Sequence, residues 1–200
     1  MSEAPADRFV DLLRHGEAVG GARLRGTTDD PLTAQGERQM QQALEGERSW
    51  SRIVSSDRRR CATFATALAE ARAIPLQVDE RLREIDFGDW EGMARAEVWT
   101  RDAERASAFW TAPFSVPPPG GEDPQAMSRR VLAAWRELCS ALRPGEHALV
   151  VSHGGPIRVI LGEVLQIPDA ALTRIEVSHA SLSRIRLPAD GWPPSLMFHR

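Results

Sequence analysis

The chain has 200 residues, 42% of them apolar, and a formal net charge of −3. That length can bury one sizeable core and favours a single domain spanning 1–200, and the charge gives no bulk attraction to nucleic acid or anionic lipid. All 25 basic residues are arginine, and lysine, asparagine and tyrosine are absent. This excludes P-loop, Schiff-base and kinase-type lysine chemistry, and N-glycosylation.

Met1–Asp7 carries acidic residues and no apolar run, so it does not read as a signal peptide. No stretch approaches the roughly 18 apolar residues that a membrane span needs, and a cytoplasmic protein is the expectation. Phe9–Leu13 is a short apolar run ending at Arg14-His15-Gly16, a buried strand entering a glycine turn. Arg52–Ser56 reads as a second strand. Cys61, Phe64, Ala65, Leu68 and Ala69 follow at helical spacing. Cys61 and Cys139 lie in no CxxC or His/Cys cluster and read as buried structural thiols.

Between residues 88 and 121 the pattern loosens and ends near Pro117-Pro118-Pro119, which suggests an inserted lid. Asp123-Pro124 is an N-cap followed by proline at the first helical position, and Met127, Val131, Trp135, Leu138 and Leu142 form one stripe of a long helix. His147–Ser152 reads as a third strand ending at His153-Gly154-Gly155-Pro156, followed by a helix from Pro156 to Leu165. Alternation over Arg174–Val177 and Leu182–Leu187 predicts two further strands. Strands alternating with helices make this an α/β chain with a mostly parallel sheet.

In open α/β sheets, ligands bind outside the carboxyl ends of the strands. Three strand ends carry reactive side chains here: Arg14-His15-Gly16, the Asp57–Arg60 cluster, and His153-Gly154-Gly155. Arginine forks with two histidines suit a tetrahedral oxyanion such as phosphate, and Gly154-Gly155-Pro156 adds a helix N-terminus. His147 and His199 lack the strand and His-Gly context, and read as ordinary hydrogen-bonded residues.

These segments resemble the histidine phosphatase superfamily, which includes the phosphoglycerate mutases. Leu13-Arg14-His15-Gly16-Glu17 looks like its signature. Gly26-Thr27-Thr28-Asp29-Asp30-Pro31-Leu32-Thr33 with Gly36 resembles its substrate loop and the following helix cap. Val54-Ser55-Ser56 with Arg60-Cys61, Leu82–Gly92, Pro119-Gly120-Gly121-Glu122 and Ser152–Gly155 match further segments in family order. The resemblance implies a three-layer α/β/α fold with a small helical lid. It implies that His15 is a nucleophile that becomes a phosphohistidine, that Arg14, Arg60 and His153 hold phosphoryl oxygens, and that Glu84 is the general acid or base. Gly16, Glu17, Arg25, Gly26, Thr27, Thr28, Trp90, Glu122, Gly154 and Gly155 become candidate substrate contacts. No metal or cofactor is implied. The partner expected is a small phosphomonoester, and a homodimer is compatible with the sequence.

Simple chemistry agrees. An imidazole attacks phosphorus through an unprotonated nitrogen, fixed arginine charges stabilise the phosphoryl group in flight, and a leaving alkoxide needs a proton.

The chain also departs from the family. Ala18 stands where Ser or Thr is common, Phe64 where Thr is common, and Ser56-Asp57-Arg58-Arg59-Arg60 replaces Ser-Pro-Leu, so Arg58 or Arg59 could take the place of Arg60. Arg60-Cys61 with Phe64-Ala65, Gly20-Gly21, Arg25-Gly26 and Pro119–Glu122 look most like the alpha-ribazole phosphatase branch of cobalamin biosynthesis. Residues 87–114 hold six of the twelve Trp and Phe, either as the lid's own core or facing an aromatic leaving group. The expectation is therefore a metal-independent phosphomonoesterase acting on alpha-ribazole 5'-phosphate or a similar metabolite. The alternatives are a cofactor-dependent phosphoglycerate mutase, a metal-dependent hydrolase using His15, Glu17 and His153, and a catalytically dead phosphate-binding module.

Overall fold

A computed structural model describes residues 6–47, 49–112 and 115–200. Met1–Pro5, read above as part of the leading segment, and the lid residue Phe114 lie outside the described residues. The sheet contains β1 (Arg8–Arg14), β2 (Arg52–Ser55), β3 (Leu76–Val78), β4 (His147–Ser152), β5 (Leu182–Leu187) and β6 (Ser195–His199), in the order β3-β2-β4-β1-β5-β6. The first four in that order run parallel; β5 and β6 are antiparallel to their neighbours.

Strand periodicity sends alternate side chains to opposite faces, and helices cover both. On one face Val10, Leu12, Val54, Ala148 and Val150 pack with Val131 and Trp135 of a helix over Pro124–Ala141 and Ile157 and Ile160 of a helix over Gly154–Leu165. On the other, Leu13, Ile53, Leu149 and Val151 pack with Met40 of α1 (Ala34–Ala43) and Cys61, Phe64 and Ala65 of α2 (Arg59–Arg72). The result is a three-layer α/β/α fold. Thr33 caps α1 by accepting from Gly36 N, and Asp123 caps the Pro124 helix by accepting from Gln125 N.

The described residues of 88–121 include two short α-helices, α3 (Arg95–Arg101) and α4 (Ala103–Thr111), around a separate small core of Trp90, Met93, Val98 and Ala106. The Pro124 and Gly154 helices are accordingly α5 and α6. Backbone bonds close the stem of this segment: Asp89 N donates to Pro119 O (2.8 Å) and Glu122 N to Asp86 O (2.9 Å). Gly88 sits there at φ +53°, where a Cβ would overlap Pro119 O and Gly121 N, so glycine is required.

The fold corrects several expectations. Arg174–Val177 is not a strand. Asp169–Arg174 forms a 3-10 turn, and the carbonyls of Ile175 and Val177 accept from Arg158 and Arg14 rather than from a ladder. The alternation there reflects Ile175 and Val177 turning their side chains into the core beneath α6. β3 and β6 went unpredicted: β3 has three residues, and β6 follows a Pro-Pro pair. α6 begins at Gly154 rather than Pro156. Cys61 is fully buried, but Cys139 is only partly so. His147 lies at the far end of β4, near buried Asp11 and within hydrogen-bond distance of Ser49 Oγ. No helix of the described residues is long and apolar enough to cross a membrane.

Candidate active site

Strand register makes the chemistry converge. Arg14 on β1 stands opposite Ser152 on β4, and Ser55 on β2 opposite Val151, so the three strands end together. His15 N donates to Ser152 O (3.0 Å), and the His15 and His153 rings lie 5.2 Å apart in an edge contact.

His15 Nδ1 is 2.8 Å from the Gly16 carbonyl. A carbonyl only accepts, so the ring proton is on Nδ1 and Nε2 is left with a lone pair. Burial, then the charges of Arg14 and Arg60, hold the His15 pKa well below the ordinary histidine value of 6.5. His153 is completely buried, and burial with Arg60 depresses it in the same direction. Arg60 Nε donates to His153 Nδ1 (3.2 Å), so His153 carries its proton on Nε2, 2.8 Å from Ser56 Oγ. The thiol of Cys61 packs under His153 with Sγ 3.6 Å from Nε2, and burial pushes it up to about 12.

These depressions have a consequence for stability. The unfolded chain binds protons at the ordinary histidine pKa of ~6.5 and the folded chain only below it, so folded-state stability should drop as pH falls through about 6.5. Histidine-detected NMR should show the rings of His15 and His153 still neutral at that pH. Either ring protonating near 6.5 would contradict the assignment.

Arg14 Nη1 donates to Val177 O (2.7 Å), while its Nε is buried with no partner. Glu84 follows a 3-10 turn (Glu80–Leu82). One carboxylate oxygen accepts from Ile85 N and the other from Gly155 N, both at 3.1 Å. A Cβ on Gly155 would overlap Glu84 Oε1, so glycine there admits the carboxyl to the start of α6. Arg130 fixes this turn from behind. It pairs with Glu122 (2.7 Å) and donates to the carbonyls of Arg81, Arg83 and Glu84.

A crevice of about 620 Å³ opens over these groups. Of the residues proposed from sequence, Arg14, His15, Arg25, Glu84, Gly154 and Gly155 line it. His153 and Arg60 do not line it: both are fully buried, the His153 ring against that of His15. Of the three consecutive arginines, Arg60 is the one bonded to His153. Its Nη atoms also donate to Thr28 O (2.9 Å) and Arg25 O (3.0 Å).

Gly26, Thr27 and Thr28 face elsewhere. Their backbone amides and the Thr28 hydroxyl converge on the Glu91 carboxylate at 2.6–3.0 Å. Burial would raise the Glu91 pKa, but these donors and Phe87 N outweigh it and hold it low. Glu17 accepts from the Thr33 hydroxyl (3.0 Å), and Gly16 packs against Gly36. Trp90 is in the small core of residues 88–121, stacked at 5.8 Å on Trp110, and Trp110 with Phe87 and Phe109 forms the aromatic wall. Glu122 braces Arg130.

The crevice also holds residues that sequence reasoning missed: Arg23, Arg95, Arg158 and His179. The His179 ring is 5.6 Å from His15, and burial and the Arg14 charge push it down to about 4. No local pattern marks His179, whereas Arg158 lies five residues beyond His153 on a visible helix. Among the described residues, five arginines and one carboxylate face this space, in a chain whose overall charge is negative. His15, Glu17 and His153 form no metal cage; among the described residues, no group of three His, Cys, Asp or Glu does. A lone imidazole nitrogen between guanidiniums, with a carboxyl opposite, can accept a phosphoryl group and protonate what leaves.

The sequence profile of the Histidine phosphatase superfamily (branch 1) matches residues 10–198. A curated relative, the probable phosphoglycerate mutase GpmB of Salmonella choleraesuis, is 36% identical over 190 residues, covering 92% of this chain and 86% of that protein. Among solved structures, a mycobacterial glucosyl-3-phosphoglycerate phosphatase is 28% identical with a TM-score of 0.81, covering 96% of this chain and 97% of that one. A putative alpha-ribazole-5'-P phosphatase from Escherichia coli is 29% identical with a TM-score of 0.81, covering 94% of each chain.

Proposed function

The chain belongs to branch 1 of the histidine phosphatase superfamily, whose members matched here include a glucosyl-3-phosphoglycerate phosphatase and a probable phosphoglycerate mutase, and from that premise we propose that it is a metal-independent phosphomonoesterase working through a phosphohistidine at His15. The observation that carries this reading is the neutral Nε2 of His15 at the floor of a crevice lined by five arginines, with Glu84 as the one carboxylate. Arginine charge at that density repels a catalytic cation and does the work that metal ions do in other phosphoryl-transfer sites.

The substrate proposed is alpha-ribazole 5'-phosphate or a similar small phosphorylated metabolite. Phe87, Phe109 and Trp110 offer an aromatic wall to a leaving group that carries a base, and the branch-like motifs point the same way. One observation favours a second reading. Arg23 and Arg95 line the crevice without a carboxylate partner among the described residues, and Arg95 lies 4.8 Å over the Trp110 ring. They would suit a leaving group with its own anion, such as a phosphoglycerate.

A turnover panel decides between them. Phosphate release should survive EDTA and be blocked by vanadate, with kcat/KM higher for alpha-ribazole phosphate than for 3-phosphoglycerate. The reverse order would favour the second substrate. Conversion of 3-phosphoglycerate to 2-phosphoglycerate without phosphate release would replace the phosphatase by a mutase. Activity lost on chelation and restored by zinc would replace both by a metal-dependent hydrolase.

A further inference from the structure

We propose that Arg158 is a further catalytic residue, a third arginine that holds the phosphoryl oxygens during transfer to and from His15. This rests on the phosphatase reading above and adds a residue that neither the spacing of the motifs nor the resemblance singled out.

Arg158 lies in the second turn of α6. Side chains on a helix lean back toward its N-terminus, so a residue in the second turn can reach over the first. Arg158 does so. A Cβ built on Gly154 would lie 3.1 Å from Arg158 Nη1 and 3.7 Å from Arg14 Nε. The two guanidiniums therefore flank one glycine at the start of a helix, where backbone amides and the helix dipole already favour an anion.

Their hydrogen bonding is incomplete in a way that points to the same place. Arg158 is anchored by one bond, Nε to Ile175 O (2.9 Å), and both Nη groups make no hydrogen bond or ion pair among the described residues. Arg14 Nε is buried and has no partner. Several arginines outside the crevice are met by acids instead: Arg130 by Glu122, Arg184 by Asp11 and Glu47, Arg83 by Asp57. Arg14 and Arg158 repel each other across Gly154, and an oxyanion between them would satisfy both.

The same crevice contains His15, so the oxyanion is the phosphoryl group in transfer. In the first step a bond forms from His15 Nε2 to phosphorus, the ester oxygen leaves with its electron pair, and Glu84 gives it a proton. In the second, water attacks phosphorus, the N–P bond breaks, and Glu84 recovers a proton from the water. Through both steps negative charge spreads over three equatorial oxygens, and fixed guanidiniums stabilise it there.

A simpler role for Arg158 is to brace the 175–181 strap through Ile175. Two substitutions separate the roles. Arg158→Gln and Arg158→Lys both lose the bond to Ile175, so their melting temperatures should fall alike, but lysine keeps the charge. Removing one transition-state donor typically costs about 10²–10³-fold, so Arg158→Gln should lower kcat/KM for p-nitrophenyl phosphate and weaken orthovanadate binding by about that range, with Arg158→Lys recovering about tenfold or more of each. A vanadate Kd in Arg158→Gln within about threefold of the parent's, whatever the change in melting, would reduce Arg158 to a brace, since that is far below the expected loss. A parent chain that neither binds vanadate nor hydrolyses any phosphomonoester would instead remove the phosphatase reading itself.

Discussion

His15→Ala should fold, lose all measurable turnover, and leave no acid-labile phosphoenzyme to trap. Three histidine rings meet at this site, with His15 5.2 Å from His153 and 5.6 Å from His179, and they differ in their fitness to attack. His153 is poorly placed to attack: its Nδ1 accepts from Arg60 Nε, its Nε2 carries the proton toward Ser56, and it has no exposed surface. His179 stands at the exposed rim of the crevice, held by the neighbouring Ala180 N donating to His15 O (3.2 Å). His15 alone of the three combines a lone pair fixed on Nε2, a tautomer set by the Gly16 carbonyl, and flanking guanidiniums. Truncation removes one buried hydrogen bond and the whole imidazole ring, a loss of about 1–3 kcal/mol that a folded domain tolerates. Circular dichroism should therefore remain native while a rapid quench with labelled substrate shows no phosphoenzyme. His179→Ala should still form it. Trapped phosphate in His15→Ala but not in His179→Ala would transfer the nucleophile's role to His179.

The contrast between those two histidines shows what the sequence reveals and what it conceals. His15 and His153 each end an apolar run and precede glycine, so periodicity and chemistry point to the same residues, and parallel strand register then sets them side by side. The stripe from Met127 to Leu142 and the Asp123 cap are legible for the same reason: each is a pattern within one stretch of chain. His179 and Arg158 become visible only when a distant segment is fixed in place. The 175–181 strap is stitched to the signature by Arg14 Nη1 to Val177 O, across 163 residues, and by Arg14 N to Ser181 O. The same holds for the loop at 26–28. Its amides form an anion-binding nest, as a substrate loop would, but Glu91, 63 residues or more along the chain, occupies that nest. Trp90 likewise belongs to an aromatic cluster whose facing is decided by packing. Trp110, sandwiched between Trp90 and Trp99, is the tryptophan that reaches the crevice.

Glu84→Gln should slow alkyl or ribose phosphates by about 10²–10⁴-fold, the usual contribution of a general acid, while slowing formation of the phosphoenzyme from p-nitrophenyl phosphate far less. The reason lies in the leaving group. A ribose alkoxide is strongly basic and cannot depart without a proton; p-nitrophenolate departs readily without one. Glutamine keeps the size of Glu84 and removes the proton. A structural role is also plain in the geometry, because the two carboxylate oxygens bridge Ile85 N and Gly155 N, joining the turn after β3 to the start of α6. Glutamine offers one carbonyl oxygen and turns its NH₂ toward the other amide, so the variant should lose about 1–2 kcal/mol of stability even if Glu84 is also the acid. Melting alone therefore cannot separate the two roles, but the ratio of the two substrates can. The comparison should use the p-nitrophenol burst rather than steady-state turnover, since the same carboxylate is proposed to take the proton from water in the second step. If Glu84 delivers a proton, the burst rate survives and the alkyl rate collapses. If it only ties the turn to the helix, misplacement of His15 and Arg14 falls equally on both substrates, and equal losses would leave Glu84 as a clasp and the general acid still to be found in the crevice.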